Sequence, residues 1–482
     1  MIDFRPVFMT IGVLLTILAF GMLIPAVVDA TSGNPDWQAF VVSSGVTLFS
    51  GVAMFFSFRI KRPTLSVRQA FVLAALVWIV LTLFAALPFG LCELRLSFTD
   101  AYFEAMSGIT TTGSTVLTGL DGLPPGLLLW RGILQWLGGL GIIVMAISIL
   151  PMLRLGGMQM FRAEAFETEG KMLPRAAQHS AGISLILIFF TVVLALSLWA
   201  AGMTGLEAVV HSLTTIATGG YSTSDGSVGH FNSPTIEAII TVGMVVGGVP
   251  FLLFLKLVHG DGQRLLRDTQ VHWYFAILAS VVMMISIWLW QFQDMTPLQA
   301  FRYASFNVVS IMTGTGYAST DYGLWGTFPV GIMFFLMFVG GCYGSTACGI
   351  KIFRFQVLFA ATRKQIYNLS HPHGVFIPTF NRRPLSDEVI GSVLGFFFIF
   401  GIVFVFLSLA MNGLGIDMIT AMSGVGTAMA NVGPGLGSII GPAGNFQSLP
   451  DAAKWLLVAG MLIGRLEVFT IFVLFGRSFW RG

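Results

Sequence analysis

The sequence predicts an all-α polytopic membrane protein in which full spans alternate with half-length helices. Three observations lead to that class. Of the 482 residues, 55% are hydrophobic and 10% charged, with a mean hydropathy of +0.85, which leaves too little polar surface to coat a soluble body of this size. Apolar windows long enough to cross a bilayer recur along the whole chain. Four of the segments between them repeat one pattern, a short helical stretch that ends on glycine.

A hydrocarbon core of about 30 Å needs about 20 apolar residues of helix. Windows of that length fall at 7–28, 39–58, 69–91, 127–151, 180–201, 234–258, 272–292, 389–411 and 453–476. A tenth, 327–361, is interrupted by GGCYGSTACG (340–349) and reads as one broken span, because that run is too rich in glycine for a regular helix. The opening MIDFRPVF leads straight into the first window with no small-residue cleavage site, so the first span is expected to be retained. Cys92, Cys342 and Cys348 have neither zinc-type spacing nor the number a disulfide framework needs.

Ten spans put both termini on one side of the membrane. Of the 25 Lys and Arg, 20 lie at the termini or in alternate loops, and the positive-inside rule makes that side cytoplasmic. The opposite segments carry Asp29, Asp36, Glu93, Asp100, Asp121, Asp225, Asp294, Asp321, Asp417 and Asp451, either an acidic face that would concentrate cations or ordinary solvated loops shaped by the same topology bias. The formal charge of +3 thus reports orientation and gives no reason to expect a nucleic-acid partner. The short basic segments 154–179, 259–271 and 362–388 suit a docking partner or anionic lipid headgroups.

The repeated segments read DAYFEAMSGITTTGST (100–115), LEAVVHSLTTIATGGYST (206–223), AFRYASFNVVSIMTGTGYAST (300–320) and DMITAMSGVGTAMANVGPG (417–435). Aligning Gly113, Gly219, Gly316 and Gly433 gives separations of 106, 97 and 117 residues. Each unit is therefore span, half-helix, loop, span. A half-helix of about 10 residues is about 15 Å long, enough to reach mid-membrane and too short to cross. The chain must return as irregular backbone, which is tolerated at that depth only inside protein or around a watery cavity. Four such units around one axis make a pseudo-fourfold pore.

Glycine at positive φ lets successive carbonyls turn toward a dehydrated cation. The expected coordinating residues are Thr110, Thr111, Thr112 and Gly113; Ala217, Thr218, Gly219 and Gly220; Gly314, Thr315 and Gly316; and Asn431, Val432 and Gly433. The C-terminal ends of the half-helices would add partial negative charge at the centre.

These motifs resemble those of the potassium-transporter superfamily that includes bacterial Trk and Ktr systems and plant HKT proteins, and most closely its TrkH members. The resemblance runs through essentially the whole chain, on LQWLGGLGIIVMAISILPML (134–153), GGMQMFRAE (156–164), ATGGYST, GGCYGSTACGIK (340–351), NVGPGLG (431–437) and AKWLLVAGMLIGRLEVFTIFVLF (453–475). It implies two N-terminal spans (1–67) followed by pore units at 68–154, 175–262, 268–362 and 384–482. It further implies potassium uptake at the bacterial inner membrane by a homodimer with one pore per protomer. A TrkA-like cytosolic ring would regulate it and bind the nucleotide, NAD or ATP, while this chain itself carries no cofactor. Glycine at the filter positions, Gly113 first among them, goes with potassium in that family. Two departures are Ala217, aligned with Thr111, and Ala347–Cys348, where relatives are richer in glycine.

The run 340–349 should lie just below the filter and, by the resemblance, act as an intramembrane gating loop. Arg465, expected near the middle of the last span, must face the interior, since a lipid-facing guanidinium costs at least about 2.5–3.5 kcal/mol. Its expected partners are that loop or the carbonyls at the ends of the broken helix; a bond to Glu467 is not local. Glu104 reads as an anchor of the first half-helix or as a cation-attracting charge, not as a catalytic acid. His371 and His373 read as solvated loop, and His211 lacks a carboxylate for a hydrolytic triad. A proton- or sodium-coupled symporter using the same filter would need a cycling ionisable residue, for which Glu104, Asp100 and Arg465 are the nominees. An intramembrane enzyme would need a clustered nucleophile and base, which the sequence lacks.

Overall fold

The computed structural model describes residues 2–60, 65–148 and 172–481. The GGMQMFRAE motif and most of the basic segment 154–179 lie outside the described residues. The first two spans, Arg5–Ser32 and Trp37–Ser57, form an antiparallel hairpin closed by Gly33 at φ 75°. The helices touch backbone to backbone: a Cβ on Gly12 would lie 2.7 Å from the Gly51 carbonyl oxygen, the close approach that small residues permit within a membrane. The buried carboxylate of Asp29 accepts the Gly126 N–H at 2.7 Å. That bond satisfies one of the free donors opening the helix Pro125–Ser148 and fastens the hairpin to the rest of the molecule.

The remainder runs as four successive sets of span, half-helix and returning span. The outgoing spans are Val67–Leu91, Met172–Ala200, Thr269–Phe292 and Asp387–Gly413. The half-helices are Phe98–Ile109, Gly205–Ile216, Pro297–Thr313 and Met418–Ala430. Each starts on a residue whose side chain accepts a backbone N–H of the first turn: Ser97, Thr204, Thr296 and Asp417. Such caps stabilise a short helix by about 1 kcal/mol, and an isolated helix of this length would not persist in water.

Among the described residues, seven helices are long and apolar enough to span a membrane. Two windows expected as continuous spans are bent instead. Pro234–Gly247 and Phe251–Val258 meet at 92°, because Pro250 has no N–H and disfavours helix at Val249. The carbonyls freed there are taken up: Gly248 accepts from Cys342 N–H at 3.0 Å and Gly247 from Thr346 N–H at 3.2 Å. Asp451–Arg465 and Val468–Phe475 meet at 105°. At this bend Glu467 has φ 61°, and its carboxylate is held by buried Arg354 at 2.6 Å. Arg465 therefore closes a helix and does not sit in the middle of a straight span.

The window 327–361 is broken as expected, into Thr327–Leu336 and Ile352–Ser370 with irregular backbone between. Beyond Ser370 the basic segment folds into a two-stranded hairpin, Thr379–Phe380 against Arg383–Pro384.

Candidate ion-binding loops and the segment beneath them

All four half-helices end in the same turn. In the first, Thr111 N–H reaches Gly108 O at 3.0 Å and Thr112 N–H reaches Ser107 O at 2.9 Å. The corresponding pairs are Thr218 to Thr215 (3.0 Å) with Gly219 to Thr214 (2.8 Å), Gly314 to Ile311 (3.0 Å) with Thr315 to Ser310 (2.9 Å), and Asn431 to Ala428 (3.3 Å) with Val432 to Thr427 (3.0 Å). This is the Schellman pattern, which needs one left-handed residue. Here that residue is Thr111 (φ 54°), Thr218 (50°), Gly314 (72°) and Asn431 (51°). Two residues further on, the chain is left-handed again at Gly113 (88°), Gly220 (78°), Gly316 (80°) and Gly433 (112°).

The backbone thus sets the register of the four loops, and it differs from the sequence alignment in the second. Gly220, not Gly219, corresponds to Gly113, and Thr218, not Ala217, corresponds to Thr111. Composition misleads there because two glycines adjoin and only φ tells them apart. The same register adds Thr313 and Ala430, at the position of Thr110 and Ala217, to the expected set.

The loops lie against one another in cyclic order. A Cβ on Gly113 would overlap the carbonyl oxygen of Gly219, one on Gly220 that of Thr315, and one on Gly316 that of Val432. A Cβ on Gly433 would lie 2.9 Å from the carbonyl oxygen of Thr112. Gly113, Gly220, Gly316 and Gly433 also line one cavity of about 260 Å³ on the acidic side.

Side chains around the loops are tied to the scaffold. Thr110 and Thr313 bond back to Met106 O (2.7 Å) and Val309 O (2.8 Å), and their hydroxyls meet those of Thr112 and Thr315 at 2.8 Å. Asn431 donates to Thr112 Oγ1 at 2.8 Å and Met461 O at 3.1 Å. Gln135, missed in the sequence, donates to Gly219 O at 2.6 Å and accepts Tyr221 N–H at 3.1 Å. A lone amide in an apolar span was the signal for it.

Glu104 anchors the first half-helix as expected. It pairs with fully buried Arg131 at 2.8 Å and accepts Val116 N–H at 3.0 Å. Arg131 also donates to Ser222 O at 2.9 Å and lies 4.0 Å from the Tyr221 ring centroid. His211 bridges Glu207 O (2.8 Å) and Ser222 Oγ (3.0 Å). Two further ion pairs tie half-helices to neighbouring helices: Arg302 of the third to Glu237 at 2.7 Å, and Asp100 of the first to Lys454 of the helix Asp451–Arg465 at 2.6 Å. In the acidic outer loops, hydrogen bonding from Ser224, then from the Asp225 N–H, holds the Asp121 carboxyl below its ordinary range. The Thr420 N–H does the same for Asp417.

Directly under the turns runs the irregular stretch that breaks the third set. It contacts every half-helix end. Thr346 Oγ1 donates to Ile216 O at 2.9 Å, Cys348 N–H to Thr313 O at 3.4 Å and Gly349 N–H to Ala430 O at 2.8 Å, while Cys348 Sγ meets Thr111 Oγ1 at 3.4 Å. The exposed backbone of one broken segment thus satisfies carbonyls that three helices leave unpaired. Arg465, buried, donates to Cys348 Sγ at 2.9 Å and Gly138 O at 3.1 Å. One of its partners is the expected loop. The other is the helix Pro125–Ser148 and not the broken helix, and Glu467 pairs elsewhere. The cavity beside this segment, lined by Cys348, Lys351, Arg465 and Glu467 among others, has about 30 Å³, space for about two waters.

Residues 36–480 match the TrkH family of cation transport proteins. The chain is 44% identical to the Trk system potassium uptake protein TrkI of Halomonas elongata, across 99% of this chain and 97% of that protein. It is 38% identical to the Trk system potassium uptake protein TrkH of Escherichia coli, across 99% of both. The crystal structure of the potassium transporter TrkH from Vibrio parahaemolyticus superposes with a TM-score of 0.93 at 35% identity, covering 100% of both chains.

Proposed function

Because this chain belongs to the TrkH family of cation transport proteins, we propose that it takes up potassium through a pore formed by its four glycine-ended loops. The observation that carries this reading is that Gly113, Gly220, Gly316 and Gly433 all line the same cavity on the acidic side. A potassium ion entering there exchanges water for carbonyl oxygens contributed by the residues from Thr110, Ala217, Thr313 and Ala430 through to those four glycines. The Gly219 oxygen retains a second lone pair beside its bond from Gln135. Four half-helix C-termini aimed at one point bias the site toward cations. The stretch around 340–349, braced by Arg465, is the gate: it lies against all four turns, and the space beside it is too small for a hydrated ion.

In this reading the units are 68–154, 175–262, 268–362 and 384–482 after an N-terminal pair at 1–67, arranged pseudo-fourfold. The basic face and both termini are cytoplasmic, the membrane is the bacterial inner membrane, and the protein works as a homodimer. Regulation comes from a TrkA-like nucleotide-binding ring docked on the basic face. Passive conduction is favoured over coupled symport because Glu104 and Asp100 are each held by a cationic partner, Arg131 and Lys454.

The test is ion flux in proteoliposomes under opposing potassium and sodium gradients, for wild type and Gly316→Ser. A side chain at φ 80° costs about 1–2 kcal/mol and this one would collide with the Val432 carbonyl, so the variant should lose potassium preference. Absence of wild-type flux, or selectivity untouched by the substitution, overturns the filter assignment.

A further inference from the structure

On the basic face, the helix Ile352–Ser370, the start of the span Thr269–Phe292 and the hairpin after Ser370 enclose a cavity of about 550 Å³. Its depth follows from the span it adjoins. Thr269 opens that span and so marks the edge of the hydrocarbon core. Gln356 Nε2 donates to Thr269 O at 2.9 Å, so the helix Ile352–Ser370 meets the edge at that point, with Phe359 one turn and Arg363 two turns further along it. Trp273 faces Phe359 at 5.6 Å in a T-shaped contact, as aromatic residues do at a membrane boundary.

The hairpin presents further charge in a fixed position. Its two-residue turn has φ 46° at Asn381 and 63° at Arg382, the tight-turn geometry in which asparagine is favoured. Asn381 Oδ1 locks the turn to the span by accepting Thr269 N–H at 2.9 Å and its hydroxyl at 2.7 Å. Arg382 has no acidic partner among the described residues. Arg363 contacts Tyr367, 3.2 Å from its hydroxyl, and Lys364 meets only the exposed Asp387 at 3.2 Å, a pairing that contributes little at a surface. Alongside these cations, Val375 is 88% and Ile377 65% exposed, a cost in water that contact with acyl chains removes.

We propose that this cavity binds the phosphodiester headgroup of an anionic phospholipid between Arg363, Lys364 and Arg382, with the acyl chains along Phe359, Val375 and Ile377. The combination of cations just outside the hydrocarbon edge with an apolar rim distinguishes a lipid from a free cytosolic phosphate.

The experiment is native mass spectrometry of the purified full chain in detergent, titrated with dioctanoyl phosphatidylglycerol, dioctanoyl phosphatidylcholine or glycerol 3-phosphate. The phosphatidylglycerol should bind at least about tenfold more tightly than the choline lipid. Arg363→Gln and Arg382→Gln should each weaken it roughly fivefold, with Arg382→Lys retaining wild-type binding, as should Arg59→Gln, a basic residue that does not line the cavity. Equal binding of the two lipids, or unchanged binding in both glutamine variants, overturns the proposal. So does displacement by glycerol 3-phosphate at equal concentration, which would mark a free-phosphate site. Disulfide crosslinking of Val375→Cys between two copies in the membrane would show that a second chain covers the cavity, and it would likewise overturn the proposal.

Discussion

Replacing Arg465 by alanine should increase potassium flux. Its guanidinium makes two hydrogen bonds in the closed arrangement, to Cys348 Sγ at 2.9 Å and Gly138 O at 3.1 Å, and so ties the segment under the filter to a neighbouring span. A bond from a charged donor contributes about 1.5–3 kcal/mol. Sulfur is a weak acceptor, so the lower end applies, and together the two bonds favour closure by about 3 kcal/mol. That bias corresponds to roughly a hundredfold change in the closed-to-open ratio. Alanine also removes a fixed positive charge beside the ion path. Rubidium uptake into proteoliposomes measures the effect, with protein insertion quantified in the same vesicles. Flux should rise until the open state dominates. Cys348→Ala, which leaves the Gly138 bond intact, should give a smaller rise, about tenfold. Arg465→Lys should fall between wild type and alanine, since an ammonium keeps the charge and loses the fork. Flux at or below wild type in correctly inserted Arg465→Ala would refute the latch.

Glu104→Gln leaves buried Arg131 unpaired and should destabilise the protein by about 3–5 kcal/mol, seen as a lower thermal unfolding temperature in detergent; an unchanged temperature removes Glu104 from the scaffold. Asn431→Ala places a side chain other than Asn or Gly at φ 51° and deletes the bonds to Thr112 and Met461, so potassium-over-sodium selectivity should fall, and Asn431→Gly should restore the backbone without the bonds. The hydrogen bonds that depress the Asp121 carboxyl imply stability that is complete above its ordinary value near 3.8 and lost only as pH falls through the lower folded value. The contribution of this group to the unfolding temperature should therefore stay constant between pH 7 and 5, and below about pH 4 wild type should lose stability that Asp121→Asn never had.

The spans were legible because burial in lipid demands apolar windows, and among the described residues seven of the ten windows fall on helices long enough to cross a membrane. The two bends were less so. The Gly247-Gly248-Val249-Pro250 run announces a break by its chemistry, yet hydropathy runs straight through it. The turn at Glu467 is held by Arg354, more than 100 residues away in sequence, and nothing local marks it. The filter could be found from glycine but not aligned from it. In the second loop the register depends on which of two adjacent glycines is left-handed, a property of the turn and not of composition. The caps Ser97, Thr204, Thr296 and Asp417 were readable in principle, since each precedes its half-helix by one residue. Gln135 and Arg131 gain their roles only when the half-helices come to rest beside them.

The obstructing segment is supplied by one set out of four. Four identical chains around an axis would bring four copies of it to a place where one already reaches every half-helix. Fusion of the sets into one polypeptide, each free to diverge, removes that crowding. In the proposed pore it also makes each protomer a binary switch. Opening requires the displacement of one strand, so no concerted step among quarters is needed, and a regulator acting on a single protomer should show a Hill slope of one.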